Sequence, residues 1–159
     1  MIRFCFGLGT RTVDRSLARV VYLSHPNMRP EGNLAREVVR YSQSSFDYVD
    51  LEFGAFVSGD LRSLFPFIME HHKSATAFVE LFGDNILYWA GSRPMIPTTP
   101  FFTFGDLPTR YPHFLETARK ISMHFEKEMG IPIDMEFTYE TQEKRSEERR
   151  VGKECRSRW

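Results

Sequence analysis

Short runs in which apolar residues alternate with polar ones, or in which β-branched residues cluster, predict β-strands along most of the chain. Ile2–Gly7 alternates and is rich in aromatic residues, and Val20–Leu23 is a short β-branched run. Two longer stretches predict hairpins, 46–57 with its turn near Gly54 and 75–91 with its turn across Gly83–Asn85. A further brief strand is expected at Phe101–Phe104.

Three segments have patterns that favour or permit a helix. Pro112–Met129 carries an apolar stripe at helical spacing, and Gly130 and Pro132 follow it as in many helix ends. The stripe consists of Phe114, Ala118, Ile121, Phe125 and Met129. Leu61–His72 suits a short helix with Pro66 near its first turn. Ala35–Tyr41 suits a helix or a strand, and its adjacent valines favour the strand.

Ile133–Tyr139 alternates in a way that predicts a strand with two chemically different faces. Asp134 and Glu136 share the polar face, with Cα atoms about 6.5–7 Å apart in an extended chain. Two carboxylates at that separation suit a Mg²⁺–nucleotide pocket, because Mg²⁺ takes few carboxylates and fills its other positions with water and phosphate oxygens. An ordinary solvent-facing strand has the same pattern, and the pattern alone favours that interpretation.

The glycine-containing stretch FGLGTRTVDR follows the first predicted strand. It does not fit a dinucleotide-binding loop, because Thr12 stands where the third glycine should be. A simple turn is the better interpretation of the glycines. Arg11 and Arg15 have the guanidinium geometry that suits phosphate, although exposed arginines are common.

The last fifteen residues, 145–159, have no helical or strand periodicity. A solvated charged tail is one interpretation, but the segment RSEERRVGKECRSRW matches the translation of a sequencing adapter residue for residue, from the opening AGATCGGAAGAG. We therefore expect residues 145–159 to be non-native and disordered, and residues 1–144 to be a fragment of a longer protein.

Composition limits the class of protein further. Apolar residues make up 42% of the 159 residues, which favours a packed core over disorder. Formal net charge is zero, so no electrostatic argument favours nucleic acid or an anionic membrane as a partner. No apolar run is long enough to span a bilayer, and Met1–Thr10 lacks the features of a secretory signal. With only Cys5 and Cys155 in the chain, we expect a reduced, cytoplasmic protein.

The five histidines do not predict a metal or catalytic site. His71 and His72 are adjacent and would diverge on a helix or a strand, and no Cys/His set has zinc spacing. The chain also lacks a Gly-x-Ser-x-Gly elbow and a Walker loop.

Two stretches together resemble the ATP-binding domain of the phosphoenolpyruvate synthase and pyruvate phosphate dikinase family. They are FGLGTRTVDR with VVYLSHPNMRPE close behind it, and GIPIDMEFTYE directly after the long helix. The resemblance covers most of residues 2–140 and implies a partial ATP-grasp fold. The expected fold class is α+β, with a mixed, mostly antiparallel sheet and a long flanking helix near the C-terminus.

In this family, ATP phosphorylates a histidine on a separate domain, which passes the phosphoryl group to pyruvate on a third. The resemblance implies that Glu136 and Asp134 help to bind Mg²⁺ and ATP. It also implies that Gly7, Gly9 and Thr10, together with Arg11, lie in or beside the nucleotide site. Thr10 departs from the Gly-Leu-Gly-Glu of better-known members.

Other parts of the family pattern are not found in residues 1–144. The family's Leu-Gln-x-Arg segment, which completes the ATP site, would fall within the adapter-like residues. The phosphohistidine and pyruvate-binding domains, which would be partners of this domain in the parent chain, are also missing. We therefore expect the fragment alone to be inactive. The alternatives are a non-catalytic nucleotide-binding or regulatory module, and a sister dikinase that acts on another acceptor.

Overall fold

The computed structural model describes residues 1–8, 18–133 and 135. Strands and α-helices alternate irregularly along these residues, with one 3₁₀ helix at Lys73–Phe78. The elements are β1 (Ile2–Phe4), β2 (Arg19–Val21), α1 (Ala35–Arg40), β3 (Ser45–Asp50), β4 (Ala55–Asp60), α2 (Leu61–His71), β5 (Val79–Gly83), β6 (Ile86–Trp89), β7 (Thr99–Phe102), α3 (Leu107–Arg110) and α4 (Pro112–Met129).

All strand pairings among the described residues are antiparallel. β1 pairs with β2, β3 pairs with β4, and β5 lies between β6 and β7. The fold of the described residues is therefore α+β, as expected, and its last described element is a long helix. In place of one mixed sheet, the described strands form three small sheets.

Both predicted hairpins are confirmed, and local chemistry explains their turns. In the β3–β4 hairpin, the Asp50 side chain accepts hydrogen bonds from the backbone N–H groups of Glu52 and Phe53 at 2.9 and 3.2 Å. In the β5–β6 hairpin, Asp84 and Asn85 both have positive φ, 49° and 59°. Asn and Asp tolerate this left-handed conformation better than other non-glycine residues, and the pair matches the twist of the strands.

The core is largely aromatic and joins the sheets. The Phe6 ring stacks on Phe102 with ring centroids 4.3 Å apart and meets Phe46 edge-on at 5.1 Å. Phe46 in turn meets Phe102 edge-on at 5.8 Å. Each such pair contributes about 0.5–1.5 kcal/mol beyond its buried area. The segment after β1 is thus packed between β3 and β7, which brings the start of the glycine-containing stretch into the core.

The strand prediction for Ala35–Tyr41 is wrong, because residues 35–40 form helix α1. Glu37 stabilises the start of this helix, since its carboxylate accepts a hydrogen bond from the Leu34 N–H at 3.1 Å. Val38 is the one buried residue of this helix. A single apolar contact with the rest of the protein is therefore enough to hold it in place. The β-preference of paired valines is small and yields to such tertiary contacts.

The other predicted segments agree with the structure except at their ends. α4 begins and ends where predicted, and Gly130 takes the left-handed conformation with φ of 68°. α2 follows the Asp60 cap, whose carboxylate accepts from the Arg62 N–H at 3.1 Å, and Pro66 lies in its second turn. The predicted strands near residues 2, 20 and 101 are each shorter or shifted. The predicted strand Ile133–Tyr139 lies largely outside the described residues.

Candidate functional site: the glycine-containing segment after β1

Gly7, the first residue of the candidate site, has a backbone conformation that requires glycine. Its φ is 106°, a value that side-chain-bearing residues rarely adopt. A Cβ placed there would lie 2.6 Å from the carbonyl oxygen of Asp47 and 3.2 Å from its nitrogen. The next N–H, of Leu8, donates to the same oxygen at 3.1 Å. The chain therefore leaves the core at Gly7 in close contact with the backbone of β3.

Gln43 holds the residue before this glycine by both of its backbone groups. The side-chain oxygen accepts from the Phe6 N–H, and the side-chain amide donates to the Phe6 carbonyl, each at 2.8 Å. The same amide donates to the carbonyl of Ser45, also at 2.8 Å. Gln43 is only 2% exposed, so these bonds are shielded from competing water. The backbone of Gln43 also accepts from the Phe102 N–H at 2.9 Å, which ties the clamp to β7.

Arg19 ties the start of β2 to the loop that follows this strand. It is the first residue of β2 and is 6% exposed. Its guanidinium forms an ion pair with Glu31 and donates to the Met28 carbonyl at 3.2 Å. Burial lowers the pKa of Arg19, the nearby charge of Arg29 lowers it further, and Glu31 opposes the shift. Both ends of the segment between Gly7 and Arg19 are thus held by buried polar side chains.

A second ion pair continues from this anchor to the three-stranded sheet. Arg29 lies 3.6 Å from the carboxylate of Glu80 on β5, and the Thr103 hydroxyl donates to the same carboxylate oxygen. Gly105 leaves room for the pair, since a Cβ there would lie 2.6 Å from both Arg29 Nη2 and the Glu80 carboxylate. One guanidinium nitrogen of Arg29 and Nε of Arg19 are buried without a hydrogen-bond partner.

The cluster contains Arg19 and Arg29 together with Glu31 and Glu80, so its formal net charge is zero. A buried ion pair is weak evidence for stability, because desolvation offsets much of the attraction between the charges. The clearer effect of the Arg29–Glu80 pair is geometric, since it joins the loop that follows β2 to β5. Together with the Gln43 clamp at Phe6, the cluster holds the described residues on either side of 9–17.

The structure describes only one of the residues predicted to bind the nucleotide. Gly7 lies where the segment begins, as stated above. Gly9, Thr10 and Arg11 lie outside the described residues, and so do Asp134 and Glu136. Whether the two groups lie together therefore stays a prediction. Within residues 1–8, 18–133 and 135, no three His, Cys, Asp or Glu side chains converge in a group that could hold a metal ion.

The sequence patterns did not indicate Gln43, Arg19 and Glu31, whose contacts hold Phe6 and the start of β2. Arg19 carried no signal, because a charged residue at the start of a strand is ordinarily exposed. Gln43 carried none, since a glutamine in a polar stretch is ordinarily exposed.

No helix in the described part of the chain has the length and apolar character needed to cross a membrane.

Comparison of the chain with models of known protein families, with curated proteins and with solved structures found no match.

Proposed function

We propose that this chain is part of an Mg²⁺–ATP-binding domain of the kind found in phosphoenolpyruvate synthases, with a partial ATP-grasp fold. The observation that carries the proposal is the segment from Gly7 to Arg19, which begins with an obligatory glycine and is anchored at both ends. Gly7 itself is required by its contact with the Asp47 backbone, whereas Gly9 has no side chain that would keep a phosphate from its backbone. Fixed ends reduce the entropy lost when such a segment binds phosphates.

In this proposal the phosphates of ATP lie against the backbone of Gly7, Gly9 and Thr10, where N–H groups can donate to phosphate oxygens. Arg11 supplies a planar guanidinium that suits a phosphate in two-point contact. Asp134 and Glu136 bind Mg²⁺, which also takes phosphate oxygens and water. The parent protein would transfer a phosphoryl group from ATP to a histidine on another domain and then to pyruvate.

The chain alone should bind Mg²⁺–ATP weakly and should not turn it over. Phosphoryl transfer depends on several groups that surround the phosphates at once. By resemblance, two further contacts belong to a segment after residue 144, where the adapter-like residues stand. We expect a Kd of about 1 mM, which corresponds to a binding free energy of about −4 kcal/mol.

Isothermal titration calorimetry with ATP, in the presence and absence of Mg²⁺, tests the proposal. Arg11→Ala and Glu136→Gln should each weaken Mg²⁺-dependent binding at least about fivefold, equivalent to about 1 kcal/mol. The matched controls are Arg36→Ala, at an exposed position on α1, and Glu126→Gln, at an exposed position on α4. The proposal would be contradicted if the control substitutions weakened binding as much as Arg11→Ala and Glu136→Gln. It would also be contradicted if ATP bound equally well with and without Mg²⁺. Conversion of ATP to AMP with pyruvate would contradict the expectation that the chain is an inactive fragment.

A further inference from the structure

The turn between β5 and β6 determines which backbone groups of β6 face away from β5. Both residues of this two-residue turn have positive φ, so the flanking pair, Gly83 with Ile86, is a hydrogen-bonded one. Hydrogen-bonded and non-hydrogen-bonded pairs alternate along an antiparallel ladder. The backbone groups of Leu87 and Trp89 therefore face outward, and they lie at the sheet edge because β6 is the outer strand.

Most of the backbone groups at this edge have no hydrogen-bond partner in the described part of the chain. The groups without one are the N–H and the carbonyl of Leu87 and the N–H of Trp89. The Trp89 carbonyl accepts from the N–H and the hydroxyl of Ser92 at 2.9 and 2.6 Å. Ile86 and Trp89 are 51% and 54% exposed, so neighbouring elements leave the strand accessible.

The opposite edge of the same sheet is protected from further strands. Pro100 of β7 pairs with Leu81, whose backbone groups face β6, so the position without an N–H faces outward. The next outward N–H, of Phe102, donates to the Gln43 carbonyl at 2.9 Å. By contrast, Ile86–Trp89 contains no proline and no charged residue. An edge that lacks these features favours pairing with another strand.

We propose that β6 pairs with β6 of a second copy of the chain, in an antiparallel arrangement about a two-fold axis at Leu87. Each Leu87 would then donate to and accept from the other Leu87, so the free groups of both copies are satisfied. In this register Ile86 lies opposite Tyr88 of the second copy, and the pair covers apolar surface that is exposed in the single chain.

The charges that flank β6 favour this direction of pairing. Asp84 precedes the strand and Arg93 follows it, and both are exposed. In an antiparallel pair the start of one strand lies beside the end of the other, so each acid lies toward an arginine of the second copy. A parallel pair would bring the two Asp84 side chains together instead. The second copy therefore fits this edge better than an extended peptide of arbitrary sequence.

Sedimentation equilibrium of the full chain without nucleotide tests the association. An interface of one short strand is small, so we expect a dimer with a Kd of about 0.3 mM. Leu87→Pro removes the outward N–H and should weaken the dimer at least about tenfold. The control Phe56→Ser, which removes an 80% exposed side chain from the β3–β4 hairpin, should leave it unchanged. A chain that stays monomeric at about 1 mM, or equal effects of both substitutions, would overturn the proposal.

A charge reversal tests the same dimer without disturbing the strand. Arg93→Glu places like charges together twice in each dimer and should weaken association at least about threefold. The matched control Arg62→Glu, at an exposed position on α2, should have no such effect. Equal weakening by both reversals would contradict the antiparallel arrangement.

Amide exchange measured by NMR identifies the strand that pairs. The Leu87 amide should exchange about twofold more slowly at about 1 mM chain than at about 0.05 mM, because the dimer protects it. The Tyr88 amide, which already bonds to β5, should exchange at the same rate at both concentrations. A Leu87 rate that does not depend on concentration would overturn the proposal. Because no nucleotide is present, a failure of ATP binding leaves these outcomes unaffected.

Discussion

Replacing Gln43 by methionine should destabilise the protein by about 3 kcal/mol. The substitution nearly keeps the side-chain volume, so the packing contribution should stay below about 1.5 kcal/mol. It removes three hydrogen bonds of 2.8 Å, two to Phe6 and one to Ser45. At about 1 kcal/mol net for each bond, the loss is about 3 kcal/mol, and buried groups left without partners could raise it further.

Urea denaturation followed by far-UV circular dichroism measures this loss. We expect a lower urea midpoint and an unchanged slope of unfolding free energy against urea concentration. A change in slope would indicate a different unfolded or native ensemble rather than a lost clamp. A loss below about 1 kcal/mol would refute the reasoning, since it would mean that water replaces Gln43 at the Phe6 backbone.

The variant Gln43→Glu tests the same clamp through its pH dependence. The new carboxylate would face the carbonyl oxygens of Phe6 and Ser45, which now accept hydrogen bonds from the amide. Burial and these oxygens should raise the carboxyl pKa in the folded state above its unfolded value of about 4.3. A raised pKa means that the folded state binds the proton more tightly, so stability should fall as pH rises through and above 4.3. The unsubstituted protein should lack this added dependence, and a variant that is equally stable at pH 5 and pH 8 would contradict the assignment.

Substitutions at three further positions test local features of the fold. Gly7→Ala should destabilise by at least about 2 kcal/mol in urea denaturation, because the conformation is strained and the Cβ would meet Asp47; an effect below about 0.5 kcal/mol would contradict the close approach. Asn85→Val should cost about 1–2 kcal/mol by the same assay, whereas Asn85→Gly should not destabilise, and equal losses would contradict the left-handed turn. Lys120→Met should raise the pKa of Glu116, now lowered first by its hydrogen bond and then by the charge of Lys120; an unchanged carboxyl titration by NMR would contradict the pair.

The fold was predictable where local chemistry decides the structure. The β5–β6 turn follows from the left-handed tolerance of Asp84 and Asn85, and the end of α4 follows from Gly130. Helix α1 was not predictable in the same way, because the preference of its two valines is outweighed by the hydrogen bond at Glu37 and the burial of Val38.

The candidate site was predictable only in part, for a similar reason. The turn at Gly7 could be predicted because few residues other than glycine tolerate this backbone conformation after a strand. The Gln43 clamp joins positions 37 residues apart, and the ion pair between Arg29 and Glu80 also crosses between separate elements. Such contacts depend on how the sheets pack, which no local pattern specifies.

The central claim is that the glycine-containing segment and the acidic pair bind the same Mg²⁺–ATP. Its most direct test is a titration of the isotopically labelled chain with Mn²⁺–ATP, in which the paramagnetic ion broadens NMR signals of nearby residues. We predict that the amide signals of Gly7–Arg11 and of Asp134–Glu136 broaden in parallel at the same Mn²⁺–ATP concentrations, and that diamagnetic Mg²⁺–ATP broadens neither segment in this way. Broadening of only one of the two segments, or equal broadening by Mn²⁺ without ATP, would contradict the claim.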